Sequence, residues 1–314
     1  MNIDTRYQWS NYWRQGHLTS LPCGFAANYD GEFLQFWNQQ FTLLNKGDCV
    51  LDVCSGNGSI ALLAQQYSDR RALALDVKSV DAADIEINTL IEKNPNIADQ
   101  IRAIEFVSNT LLEEMTEESA TVHLITSQYG IEYTDWQLSA ENVNRLLKSG
   151  GYFSLICHSF DSKIMRHMEF QHSDYARLAG LDIFCREFKG ETDLCDQRKV
   201  VDEFDHALDL IYAMFNENRA SDVLSAVGGE LEKIRRLLLQ DFTAGIQQFS
   251  RFQQGVYISY ATSSDLVAVS RKIKQHPDWF EVFSDAGMQL LQSGHINYHT
   301  GEKAGKYYQW RKPL

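Results

Sequence analysis

The chain has 314 residues, of which 44% are hydrophobic and 23% charged, and its formal net charge is −13. That length accommodates one large domain, or one domain carrying a substantial insertion, and buries a core without covalent staples. The acidic balance excludes a broad nucleic-acid footprint, which needs clustered Lys and Arg, and no apolar run reaches the ~18 residues of a membrane-spanning helix. Six cysteines, Cys23, Cys49, Cys54, Cys157, Cys185 and Cys195, form no C-x-x-C pair and no zinc-like spacing with His. No metal is expected, and a reducing, cytoplasmic setting is. Residues Met1 to Ser10 are polar and aromatic, unlike a signal peptide.

In chain order, Cys49–Val53 reads as a buried strand, followed by a helix from about Gly58 to Tyr67. Ala72–Leu75 reads as a second strand, and Asp81–Glu92 as a helix closed near Asn94-Pro95. Arg102–Val107 and Val122–Thr126 follow as third and fourth strands. A helix from about Trp136 to Leu147 is stopped at Gly150-Gly151, and Tyr152–Cys157 gives a fifth strand. Strands alternating with helices of this length predict a parallel sheet covered on both faces. After Ser159 the rhythm turns helical. Phe204, Leu208, Ile211, Tyr212 and Phe215 recur at helical spacing, as do Leu224, Val227, Leu231, Ile234 and Leu238. Phe280–Leu291 reads as a last helix, and Ile296–Tyr298 with Tyr307–Trp310 as a hairpin around Thr300-Gly301.

The chemistry concentrates at Gly56-Asn57-Gly58, between a buried strand and a helix, where glycine lets the backbone turn sharply and a ligand approach the helix end. Gly56-x-Gly58-x-x-Ala61 with Asp76 downstream also satisfies a dinucleotide fingerprint, so a nicotinamide-dependent oxidoreductase is one reading. Asp52, four residues before Gly56, gains nothing from a pyrophosphate but suits a cationic ligand.

The pattern Asp52-x-x-x-Gly56-x-Gly58 resembles the first motif of class I S-adenosylmethionine-dependent methyltransferases, with Cys54 where a glycine is common. The likeness extends from about Asp48 to Cys157 and over the terminal hairpin. It implies a doubly wound, mostly parallel seven-stranded α/β sheet with a C-terminal β-hairpin and a helical insertion after the fifth strand. The division it gives is a helical lid segment over 1–45, a Rossmann-like domain over 46–159 and 276–314, and a helical cap over 160–275. S-adenosylmethionine is the implied cofactor, with Asp52, Gly56, Asn57 and Gly58 around it, Asp76 on the ribose and Asn109 on the adenine edge. The segment Thr126–Tyr133 matches the stretch that runs beneath the methyl donor, which places Gln128 at the cofactor. It lacks the Pro-Pro quartet of base amino-methylation.

Tyr129, Glu132 and Tyr133 are candidates for the acceptor pocket. His158, just past the fifth strand, is the candidate base, because imidazole titrates in the useful range. Trp13 and His17 suit a lid over the cofactor by stacking and hydrogen bonding. The expected partner is a small organic acceptor methylated at O, N or C; neither nucleic acid nor membrane is expected, and a homodimer stays open. A cofactor-binding regulatory or assembly module is the non-enzymatic alternative.

Overall fold

The computed structural model describes residues 5–20, 25, 27–116, 118–188 and 194–314. Cys23 and the side chain of Cys195 fall outside them; the other four cysteines are unpaired. The chain forms two compact units, Met1–Arg166 with Ala268–Leu314, and His167–Val267.

The first unit begins with α1 (Thr5–Arg14) and α2 (Gly31–Phe41) and then enters the sheet. The order is β1 (Cys49–Val53), α3 (Ser59–Arg71), β2 (Asp76–Val80), α4 (Ile87–Lys93), α5 (Ala98–Arg102), β3 (Glu105–Val107), β4 (Val122–Gln128), α6 (Trp136–Leu146) and β5 (Leu147–Cys157). The second unit is helical, built from α7 (Lys163–Ala179), α8 (Asp182–Cys185), α9 (Leu194–Glu217), α10 (Asp222–Gln240) and α11 (Phe242–Gln275), with α7 entering it and α11 leaving it. The chain then returns through α12 (Val282–Asp285) to β6 (Gln289–Asn297) and β7 (Lys303–Arg311).

The strands form one seven-stranded sheet in the order β3-β2-β1-β4-β5-β7-β6. The first five pair in parallel, and β7 runs antiparallel to both β5 and β6. The sheet is therefore mixed, with the terminal hairpin as its antiparallel part. Alternation along the strands sends residues to opposite faces. Val50, Val77, Leu124 and Ile156 join Phe33, Trp37, Phe41, Ile60 and Leu90 in one core. Leu51, Val53, Ile125, Phe153 and Leu155 join Val143, Leu146, Trp279 and Phe283 in the other.

The helix read over Asp81–Glu92 starts only at Ile87, because residues 81–86 form the turn after β2, and the strand read from Arg102 starts at Glu105, because Arg102 ends α5. Three further boundaries differ from the sequence reading. The Ala-Leu-Ala-Leu run is not a strand, because α3 continues to Arg71 and Ala72 and Ala74 take left-handed backbone (φ 53° and 47°). Ala72 closes α3 by donating to Asp69 O, while the Leu75 N–H is taken up by Ser68 Oγ at 3.0 Å. The second strand thus starts at Asp76. Gly150-Gly151 does not simply stop a helix: β5 begins at Leu147, and its register against β4 shifts between Val122↔Leu147 and Leu124↔Tyr152. The intervening residues bulge out, with Gly150 at φ 78°. The span 280–291 is a short turn and α12, after which β6 starts at Gln289.

In the helical unit, all five residues of the second stripe, from Leu224 to Leu238, are buried, together with Phe204, Leu208 and Ile211. Tyr212 lies outside this core, 41% exposed.

A buried amide of α2 ties that helix to β5 and β7 of the sheet. Gln40 Oε1 accepts from Ser154 Oγ on β5 at 2.9 Å and from Gln309 Nε2 on β7 at 2.6 Å. Gln40→Met keeps the bulk but removes the shared acceptor, stranding donors that cost about 1–3 kcal/mol when unsatisfied. Urea denaturation is expected to show a lower midpoint by about that amount at unchanged slope; an unchanged midpoint would mean that water replaces the amide.

Candidate functional site

A cavity of about 390 Å³ opens at the carboxyl ends of β1, β2 and β4, entirely within the first unit. Open α/β sheets bind ligands at this edge, and the volume falls within the ~300–1,000 Å³ of small-molecule sites. Its walls come from the segments after three strands: Cys54-Ser55 after β1, Asp81-Ala82-Ala83 after β2, and Gln128-Tyr129-Gly130 after β4. Thr110–Glu113 after β3 closes one end, and Trp9 and Trp13 of α1 close another.

Of the two acids that line the cavity, Asp81 and Glu113, Asp81 is the one bound to the glycine loop. Its Oδ2 accepts from Gly56 N at 2.7 Å and its Oδ1 from Ala83 N at 2.7 Å. Burial pushes its carboxyl up, while these two N–H donors pull the other way. Each oxygen retains a lone pair for a ligand hydroxyl. Ser55 locks the loop onto β2, taking a hydrogen bond from Ser79 Oγ at 2.8 Å and giving one to Val80 O at 3.1 Å.

Asp76, the residue expected on the ribose, is at the wrong end of the sheet. It pairs with Cys49 at the start of β1, whereas the loop follows Val53, which pairs with Val80. The acid next to the loop must therefore come after Val80, and that is Asp81. In Ala-Leu-Ala-Leu-Asp-Val-Lys-Ser-Val-Asp either Asp could end a five-residue strand, and the register against β1 selects the second.

Asp52 does not line the cavity either. It is 1% exposed and lies beneath the loop, where Oδ2 accepts from Ala61 N at 3.1 Å and Oδ1 from Thr126 Oγ1 at 2.9 Å. Gly58, the residue before α3, has no side chain to cap it, so Asp52 takes one of its free N–H groups from below. Burial pushes this carboxyl up to about 7. Its work is to hold β1, α3 and β4 together.

The three loop residues differ in use. Gly56 and Gly58 have φ of 55° and 73°, and a Cβ on Gly56 would overlap the Trp13 ring. Asn57 faces α1, with Nδ2 donating to Trp13 O at 2.9 Å and His17 O at 2.7 Å. Trp13 lines the cavity; His17 does not, its Nε2 lying 3.1 Å from Gln15 Oε1. Asn109 also stays outside, with Nδ2 3.4 Å from Asp84 Oδ1, because its left-handed backbone (φ 57°) turns it outward. Thr110, Leu111 and Leu112 reach the cavity instead.

Gln128, Tyr129 and Tyr133 line the cavity, and Tyr29 joins them from the segment before α2. Gln128 Oε1 is held by Trp37 Nε1 at 2.6 Å, which leaves Nε2 buried without a hydrogen-bond partner. Tyr129 is itself left-handed (φ 57°), as is Cys54 (φ 52°), so both non-glycine outliers of the β1 and β4 exits sit in the cavity wall. Between them Gly130 has no room for a side chain: a Cβ there would overlap Cys54 Cβ and lie 2.7 Å from its carbonyl oxygen.

His158 and Glu132 form the layer behind this wall. The His158 ring stacks on Tyr129 with centroids 4.4 Å apart, and the His158 backbone N–H donates to Glu132 Oε1 at 2.8 Å. Burial lowers the imidazole to about 3, so it is neutral where a near-neutral base was expected. Glu132 is fully buried, and desolvation raises its carboxyl to about 7.

The residues fit an adenosyl sulfonium ligand. The half-buried Asp81 carboxylate stands ready for a hydroxyl pair, Val80, Leu111 and Leu112 offer apolar surface to a purine, aromatic rings face the space, and Gln128 presents an unused donor. The strand order, with an antiparallel strand placed between β5 and β6, also departs from the 3-2-1-4-5-6 order of dinucleotide folds.

The strand order is that of class I S-adenosylmethionine-dependent methyltransferases, and the cavity's residues suit that cofactor. More narrowly, residues 34–182 match the model of the ubiE/COQ5 methyltransferase family. No curated protein matches the chain by sequence. Among solved structures, similarity is found to the complex of the Haloferax volcanii Trm112 methyltransferase activator with a methyltransferase (11% identity, 98% of each chain, TM-score 0.48). It is also found to Haemonchus contortus phosphoethanolamine N-methyltransferase 2 bound to S-adenosyl-L-methionine (14% identity, 99% of this chain and 59% of that one, TM-score 0.42). A third is a geranyl diphosphate methyltransferase with GPP and sinefungin (15% identity, 40% of this chain and 45% of that one, TM-score 0.34). The chain thus spans about half the length of two of these three.

Two predictions follow from the packing here. Gly130→Ala is expected to destabilise the protein by about 1–3 kcal/mol, the cost of overpacking, and to cost less in a Cys54→Gly background, where one clashing Cβ is gone. Thermal unfolding of the double-mutant cycle measures the coupling; strict additivity would show that Gly130 is not constrained by Cys54. Glu132 tests the linkage of charge to stability. Because its folded pKa is raised, its contribution is complete below about pH 4.5 and is lost as pH rises through about 7. Relative to Glu132→Gln, the wild type is expected to lose about 3 kcal/mol over that window, at ~1.4 kcal/mol per unit. A parallel pH dependence of the two proteins in denaturant melts would show that Glu132 carries no such penalty.

Proposed function

We propose that this chain transfers a methyl group from S-adenosylmethionine to a small organic acceptor, at O, N or C. When bound, S-adenosylmethionine supplies an electrophilic methyl on a sulfonium. The chain's contribution is positioning, which by itself provides much of the rate of an in-line displacement. In this reading Asp81 holds the ribose hydroxyls, Ala82, Ala83 and Thr110–Leu112 enclose the purine, and Gln128 orients the donor end through Nε2. Tyr29, Tyr129 and Tyr133 face the acceptor. His158, neutral and stacked behind Tyr129, serves as its platform, and Glu132 fixes the chain at His158. A cytoplasmic, reducing setting belongs to the same proposal and is supported by the four unpaired cysteines. Among the described residues no helix is long and apolar enough to cross a membrane.

The observation that carries the proposal is the half-buried Asp81 carboxylate, fixed by the glycine loop with lone pairs to spare. Asp81→Asn is expected to weaken S-adenosylhomocysteine binding by about 2 kcal/mol, the scale of charge-assisted hydrogen bonds. Asp76→Asn, at the other end of the sheet, is expected to bind as the wild type does. Calorimetry on both variants decides it: equal losses, or a loss at Asp76 alone, would sink the assignment.

A further inference from the structure

Asn57 occupies the middle of the glycine loop, yet its side chain serves the N-terminal helix. It is 1% exposed, both of its amide hydrogens go to carbonyls of residues 13 and 17, and its Oδ1 is buried without a partner. An amide whose donors are fully used and whose acceptor is idle is oriented by what it donates to.

The helix it grips has little else of an apolar kind to hold it. No described residue of α1 belongs to either core of the first unit, whereas α2 contributes Phe33, Phe36, Trp37 and Phe41 to one of them. What attaches α1 is polar or aromatic. Arg14 pairs with Asp84 at 2.6 Å and Glu86 at 3.0 Å, Ser10 Oγ accepts from Asp84 N at 2.9 Å, and Lys93 Nζ donates to Gln15 O. Trp9 packs edge-on to Tyr133 with centroids 5.8 Å apart, and the Trp13 ring lies against Gly56. The two ion pairs are substantially exposed and contribute little. An element with few buried apolar contacts opens locally at low cost.

We infer that α1 and the turn after it, residues 5–17, form a removable wall of the cofactor cavity, and that Asn57 is its latch. Asn57 is then a positioning residue: it acts through Trp13, whose ring covers the loop where the cofactor would lie. Cofactor exchange requires α1 to lift, and lifting breaks both Asn57 hydrogen bonds. This rests on the cofactor site proposed above.

The test compares wild type with Asn57→Asp, which keeps the shape but cannot donate to two carbonyls. Tryptophan fluorescence in stopped flow reads the dissociation of S-adenosylhomocysteine, and hydrogen exchange reads the backbone amides of α1 with and without it. The expected result is dissociation faster by about tenfold, equivalent to about 1.4 kcal/mol, with faster α1 exchange in the ligand-free variant. Asn57→Ser, which can satisfy one carbonyl, is expected to fall between. Wild-type dissociation rates in both folded variants would overturn the latch, as would α1 amides that exchange at the same rate in all three proteins. If the wild type does not bind S-adenosylhomocysteine, the cofactor reading fails; ligand-free exchange then still judges whether Asn57 secures α1.

Discussion

The carboxyl of Asp52 is the point from which the cavity is suspended. It is buried beneath the glycine loop, with one oxygen on the first turn of α3 and the other on Thr126 of β4. Because Gly58 must turn left-handed and a Cβ there would come within 2.8 Å of Phe106, no capping side chain fits at the head of α3. The cap is supplied from the strand below. That fixes the rise of the loop, and the loop in turn presents Gly56 N to Asp81. A single buried acid therefore sets the relation of three elements, and a second acid inherits its position from the first.

The same edge concentrates strain. Cys54 and Tyr129 leave neighbouring parallel strands in left-handed conformations that cost L-residues about 1–2 kcal/mol each. Gly130 is the concession that lets the two exits approach. Behind them, His158 and Glu132 are removed from water; burial leaves the imidazole neutral and keeps the Glu132 carboxyl protonated until pH approaches about 7. The wall facing the ligand is thus backed by a layer of low charge, which strengthens any electrostatic interaction made in front of it.

The positions of the aromatic residues separate covering from packing. Phe33, Trp37 and Phe41 are core, anchoring α2 to the sheet. Trp9 and Trp13 lie on the cavity and outside both cores, so their helix is secured by hydrogen bonds and ring edges. Two helices adjacent in sequence and both rich in aromatic side chains therefore differ in how firmly they are held.

Periodicity and punctuation in the sequence determined the alternation of strands and helices, the loop at Gly56-Asn57-Gly58, the change to helical rhythm after Ser159 and the terminal hairpin. These follow from local pattern, which the chain carries in itself. The cavity-lining Gln128, Tyr129 and Tyr133 were legible for the same reason, since they directly follow an apolar strand. Register was not legible. Asp76 and Asp81 both end plausible strands, and only pairing with β1 reveals which one reaches the loop. Asp52, Asn57, Asn109 and His158 were recognisable as polar residues near strand ends, but the direction of each side chain depends on partners up to 74 residues away, as with Thr126 for Asp52. Burial, likewise, is a property of the packed chain: it took the titration of His158 out of the neutral range and brought Glu132 into it. Local sequence chooses the element; the contacts across the sheet choose which of its polar atoms meet the cavity.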